Sequence, residues 1–201
     1  MERAAGIERT RRAIMDAARR HLVEAGYHGL SMERVAAEAG VTRVTVYRRF
    51  GSKPGLLEAV ADDLAGRSEV VPQMREALDR PDAPDAFRGT VTGICRFWGT
   101  DPDLLRRLVS LAEVDPEVRD VIAGRERWRL AQVTAAVERL DGEGRLRPPF
   151  GVREASAAAA AVTSFPSCDA MAADLGRPHA DLPALLIPLL ASIADLGAGT
   201  A

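Results

Sequence analysis

Along most of the chain the apolar positions recur at intervals of three and four, and no run alternates apolar and polar residues between turn signals in the rhythm of a strand. This pattern predicts an all-α protein of about nine helices. The first, over about residues 7–25, places Ile14, Ala17, Ala18, His21 and Leu22 on one face, and Gly26 is positioned to stop it. Ser31 can cap a short second helix over 32–39 with Val35, Ala36 and Ala39 turned inward; Gly40 ends it. Thr42 can cap a third helix over 43–50. After Gly51, Ser52 offers a fresh cap for a fourth over 53–67.

The segment VPQMREALDRPDAPD then reads as a loop or boundary, because proline and aspartate dominate it. A fifth helix is predicted over 85–99, a sixth from Asp101-Pro102, and a seventh from Asp115-Pro116 to Leu140; each Asp-Pro fits a cap followed by proline at the first helical position. DGEGRLRPPFG closes that section as a loop. An eighth helix, 152–175, contains Pro166, which should kink or split it, and a ninth, 182–196, carries Pro183 near its start and Pro188 inside.

Charge divides the chain unevenly. Residues 1–67 carry 12 basic and 9 acidic side chains, a balance of +3, whereas the remainder carries 15 and 20, a balance of −5. A mildly basic N-terminal third therefore precedes an acidic body, a distribution that suits local contact with nucleic acid rather than adhesion by the whole surface. Cys95 and Cys168 show neither CxxC nor ligand spacing, so they read as small core residues and no metal site is expected. No apolar run has the length of a membrane span, and a soluble cytoplasmic protein is expected. Lysine occurs once against 26 arginines throughout the chain, a bias that fits a high-GC genome.

The stretch VTRVTVYRRFGSK carries the candidate chemistry. On a helical wheel Val46 and Phe50 share one face while Val44 and Arg48 point the other way, so the third helix has a packing side and a side free for a ligand. Preceded by a helix ending at Gly40-Val41, it has the layout of a helix-turn-helix, whose second helix enters the DNA major groove. Arg43 can then address the acceptor pair of guanine, Thr45 a base or a phosphate, and Val44 a thymine methyl. Thr42, Tyr47 and Lys53 are placed for phosphates, and Arg48 and Arg49 add positive charge.

Residues 11–60, RRAIMDAARRHLVEAGYHGLSMERVAAEAGVTRVTVYRRFGSKPGLLEAV, resemble the N-terminal domain of the TetR family of bacterial transcriptional regulators. The matching positions include the alanine pair of helix one, Gly26-Tyr27, Ser31, Val35-Ala36, Gly40-Val41, Thr45, Tyr47, Phe50, Lys53 and Leu56-Leu57. Val44 stands where such proteins often carry a small residue, and Arg49 where they often carry an aromatic residue or histidine; both bear on which operator is read. The DNA-contacting set expected from these residues, with the resemblance beside them, is Ser31, Thr42, Arg43, Val44, Thr45, Tyr47, Arg48, Arg49 and Lys53. The resemblance also implies a division into a helix-turn-helix domain over 1–52, a connecting helix over 53–67, and a helical effector-binding and dimerisation domain over 68–201.

Within that body the pattern must speak for itself. Helix nine is apolar on most sides and asks to be covered on most sides. Leu185, Leu189 and Ile193, with Ala157 and Ala161 of helix eight, are accordingly expected at a homodimer interface suited to a palindromic operator on double-stranded DNA. Aromatics are only 4% of the chain, so their concentration at Phe87, Trp98, Trp128 and Phe165, joined by Val91, Ile94 and Met171, suggests an apolar pocket for an unidentified small apolar or amphipathic effector. His179 lies in a loop, where a solvated or capping role is expected. No nucleophile–base pair, phosphate-binding glycine loop or resident cofactor motif is present, so catalysis is not expected. The reading is a ligand-released repressor. Its rivals are a DNA-binding regulator without effector and a helical small-molecule-binding protein that has lost DNA binding.

Overall fold

The computed structural model describes residues 2–197, which form two compact units. Among the described residues the protein is all-helical apart from one isolated bridge, Leu146 with Ala194. The described residues form eleven α-helices and a 3-10 turn rather than about nine helices. None of these helices is long and apolar enough to cross a membrane.

The first unit takes residues up to Arg67 together with Asp103–Gly124. It begins with α1 (Glu2–Gly29), α2 (Met32–Glu38), α3 (Arg43–Phe50) and α4 (Lys53–Arg67). Gly26 breaks the helical path of α1 at φ +68°, where the sequence placed the stop, and one further turn follows. Ile14, Ala17, Ala18 and Leu22 of α1, Val35 and Ala36 of α2, Val46 of α3 and Leu56, Leu57, Val60 and Leu64 of α4 form the buried centre. The α3–α4 corner is tight: a Cβ on Gly55 would lie 2.1 Å from the Phe50 carbonyl oxygen. Most of α7 (Pro102–Val114) and the start of α8 (Pro116–Gly142) complete this unit. Asp115 caps α8, its Oδ1 accepting from the backbone N–H groups of Glu117 (2.9 Å) and Val118 (3.2 Å).

The second unit holds Ser68–Pro102 and the chain from Arg125 onward. Its first helix, α5 (Val70–Leu78), lies where the sequence predicted a loop. Pro72 sits in the first turn, where no amide hydrogen is required, and Val70, Met74 and Ala77 form a buried stripe. That stripe meets α6 (Ala83–Trp98) across two glycines, since an added Cβ would lie 2.9 Å from Ala77 Cβ at Gly89 and 2.7 Å from Met74 Cε at Gly93. The predicted eighth helix is two helices, α9 (Val152–Val162) and α10 (Phe165–Leu175). Ser164 caps the second of them, accepting from Ser167 N–H, and Pro166 lies in its first turn. After the 3-10 turn His179–Asp181, α11 (Pro183–Leu190) ends well before residue 196. The chain then leaves helical geometry so that the Ile193 carbonyl and the Asp195 N–H can bond Arg147 N–H (3.0 Å) and the Arg145 carbonyl (2.7 Å).

Candidate nucleic-acid interface

Helix α3 is short, and most of its side chains serve one of two purposes. Val46 is fully buried against the rest of the first unit, whereas Val44 is 73% exposed. Thr42 is the N-cap: its hydroxyl oxygen accepts from Thr45 N–H at 3.2 Å and lies 2.9 Å from Thr45 Oγ1. Ser31 caps α2 in the same way, accepting from Arg34 N–H at 3.4 Å and donating to Glu33 Oε2 at 3.0 Å. Arg43 is held from two sides. One Nη approaches Glu33 Oε1 at 2.7 Å; the other donates to the Tyr47 hydroxyl at 3.4 Å, with the guanidinium carbon 5.0 Å from the Tyr47 ring centroid. Arg48 is exposed and, among the described residues, has no ion-pair partner. Arg49 is half-buried with its Nε enclosed and without a hydrogen-bond partner.

Lys53 sits at the start of α4 over an aromatic shelf, its Nζ 4.2 Å from the centroid of the Tyr27 ring. Tyr27 is 2% exposed, and its hydroxyl donates to Glu117 Oε2 at 2.5 Å. Burial, reinforced by that bond and by the charge of Glu117, pushes the Tyr27 phenol well above its ordinary range. Sequence reasoning gave Tyr27 no function and missed Glu117 entirely, because ninety positions separate the two and no local spacing links them. Glu38 was missed as well. It accepts from Arg20 Nε at 2.6 Å and pairs with His21 Nε2 at 2.9 Å; Arg20 first and His21 after it hold its carboxyl below the usual range.

The residues assigned to an effector pocket separate into two places within the second unit. Phe87, Val91, Ile94, Trp98 and Phe165 are buried; Trp98 meets Phe165 edge-on at 5.4 Å and donates its indole N–H to the Thr163 carbonyl at 2.9 Å. Met171 is half-buried on α10. His179 corrects the expectation of a solvated or capping side chain. It is buried, stacks on Phe165 at 6.1 Å and bonds Asp169 Oδ1 at 3.1 Å. Trp128 instead borders a cleft of about 230 Å³ with Val71, Arg75, Leu78, Asp79 and Gln132. Of the expected interface residues, Ala157, Ala161, Leu185 and Leu189 are exposed, but Ile193 is buried inside its own chain, turned in by the residues that follow α11.

The family model described as bacterial regulatory proteins, tetR family, matches residues 14–60, the span that contains α2, α3 and the aromatic shelf. Two curated relatives are the HTH-type transcriptional repressors AcnR of Corynebacterium diphtheriae and Corynebacterium glutamicum. They are 31% identical over 106 residues and 35% identical over 111, covering 49% and 51% of this chain and 55% and 58% of theirs. The chain thus spans about half the length of the curated relatives it matches. Among solved structures, the fatty acid degradation regulator FadR from Bacillus halodurans shares the fold with a TM-score of 0.74 at 20% identity, over 95% of this chain and 96% of that one. Residues 14–60 thus match the model of bacterial regulatory proteins, tetR family, and the chain as a whole shares the fold of solved TetR-family regulators.

Proposed function

We propose that the protein is a transcriptional repressor that binds a palindromic operator as a homodimer and lets it go when a small molecule occupies the body. The observation that carries this reading is the division of α3, which buries Val46 while leaving Val44 and Arg48 outward beside the cap Thr42 and the supported ammonium of Lys53. Such a surface offers an apolar contact for a base and cations for the backbone. Leu189, 52% exposed, and Leu185 on α11, with Ala157 and Ala161 on α9, supply apolar area for a second copy. Operator release would require an effector to prefer the state whose two readers are misspaced.

The cleft beside Trp128 supports an amphipathic effector, since Val71 and Leu78 are apolar while Arg75, Asp79 and Gln132 are polar. The second reading, a regulator with no effector, draws on the burial of Trp98 and Phe165, which meet edge-on and do not border that cleft. Fluorescence anisotropy on the DNA upstream of the gene, against scrambled duplex at about 0.15 M salt, tests the DNA step. Specific binding should be at least about a hundredfold tighter than binding to the scramble; equal weak binding to both counts against a sequence-specific regulator. Leu189→Glu should yield monomers in analytical ultracentrifugation. A thermal-shift panel with no stabilising compound decides for the effector-free reading.

A further inference from the structure

Glu33 contributes nothing to the buried centre, yet it pairs with Arg43 of the recognition surface, and three donors converge on it. Ser31 donates its hydroxyl to one carboxylate oxygen at 3.0 Å, Arg43 meets the other at 2.7 Å, and the residue's own backbone N–H adds a third. That backbone bond first, then Ser31, with Arg43 assisting, keeps the carboxyl below its usual range, so Glu33 is charged wherever the protein would meet DNA. Its partner Arg43 is the side chain best suited by shape to a guanine edge.

From this geometry we infer that Glu33 determines specificity by competing with DNA for Arg43. The inference rests on the reading of α3 as the element that enters the groove. On bulk DNA, Arg43 stays with Glu33 and gives no phosphate contact. The pair is a short, ready-made one, and a single phosphate oxygen offers the guanidinium little that the carboxylate does not. On the operator, two acceptors on one base accommodate the planar fork and draw it away. The pair can open, because its side chains are 52% and 58% exposed and exposed ion pairs are weak. Glu33 therefore lowers affinity for every sequence that lacks the bidentate partner and lowers it less for the one that has it.

The test uses the full-length protein, its Glu33→Gln and Arg43→Ala variants and the double variant, titrated onto random duplex of about 30 bp between about 0.05 and 0.3 M KCl. Glutamine keeps the size of the side chain and can still accept from Ser31. Circular dichroism and melting curves should overlay, since both residues are exposed. Glu33→Gln is expected to bind random duplex about 3–10-fold tighter at about 0.1 M salt, with the slope of log affinity against log salt steeper by about 0.9, one additional phosphate contact. The gain should vanish in the Arg43→Ala background. Wild-type binding without that gain overturns the inference alone, as does a gain that persists without Arg43, which would be general relief of repulsion. If none of the four proteins binds duplex DNA at any of these salts, the reading of α3 falls together with it.

Discussion

Replacing Tyr27 with phenylalanine deletes one oxygen atom while leaving the ring in place beneath the Lys53 ammonium, 4.2 Å from its centroid. What is lost is the hydroxyl's bond to Glu117 Oε2, 2.5 Å long. Hydrogen bonds to charged groups are worth about 1.5–3 kcal/mol, and the lower end applies because Glu117 is exposed and water takes over as its donor. A cost of about 1.5 kcal/mol near neutral pH corresponds to a fall of about 3–6 °C in Tm for a chain of this length. The pH dependence gives an independent check. With the native phenol raised by burial and by Glu117, the folded state keeps its proton after the unfolded chain has begun to lose it at about pH 10. The unfolded state then binds fewer protons than the native one, so stability falls as pH rises. Below about pH 10 the wild-type advantage is fully present, and each further unit removes about 1.4 kcal/mol, so the two proteins should converge near pH 11. Urea unfolding followed by circular dichroism from about pH 7 to 11 measures both effects. Equal stability at neutral pH, or a gap that widens in alkali, would refute the reasoning, whereas unchanged DNA affinity is expected because the shelf under Lys53 survives.

Gly55→Ala should destabilise by about 1–3 kcal/mol in thermal melts, reversing the gain of about 0.5–1 kcal/mol usual for alanine in a helix, because its Cβ would lie 2.1 Å from the Phe50 carbonyl oxygen. Val46→Ala removes buried methyl groups and should cost about 2 kcal/mol, while Val44→Ala, at a residue 73% exposed, should stay within about 0.5 kcal/mol yet alter operator preference in a binding selection. Arg129 is buried and donates to the Thr163 hydroxyl at 3.1 Å and the Ala160 carbonyl at 3.2 Å, so Arg129→Ala should lose about 2–3 kcal/mol by urea titration.

The reader was legible because its signals are local. Ser31, Thr42 and the glycines at 26, 40 and 51 set the helix ends within a turn of where they stand, and the period of Val46 and Phe50 fixed which face packs. The body was less legible for two reasons. Proline was read as a breaker in the segment that forms α5, although Pro72 occupies a first-turn position and Gly89 and Gly93 of α6 provide the seat for that helix. The aromatic concentration suggests the lining of a pocket, but periodicity reports only that a side chain turns inward, not what it meets there: Trp98 lies against Phe165 and Phe165 against His179, while Trp128 borders the cleft. Ile193 shows the same ambiguity from outside, since the stripe that places Leu185 and Leu189 at the surface does not continue once the chain leaves α11.

The double use of residues around α3 determines which substitutions can assign a DNA contact. Thr42→Ala would remove the cap of α3, a loss of about 1 kcal/mol in stability, so weaker DNA binding by that variant could arise from a frayed helix as readily as from a missing phosphate bond. Lys53→Ala removes an ammonium and also uncovers the Tyr27 ring beneath it. Val44 and Arg48 are free of this ambiguity: both are exposed on α3, the first by 73%, and neither side chain caps a helix or, among the described residues, joins an ion pair. Arg48→Ala should leave the melting curve in place while reducing the salt slope by about 0.9 if its guanidinium meets phosphate. Val44→Ala should leave that slope untouched and change which base is preferred. Those two responses separate backbone positioning from base reading without passing through the stability of the helix that carries them.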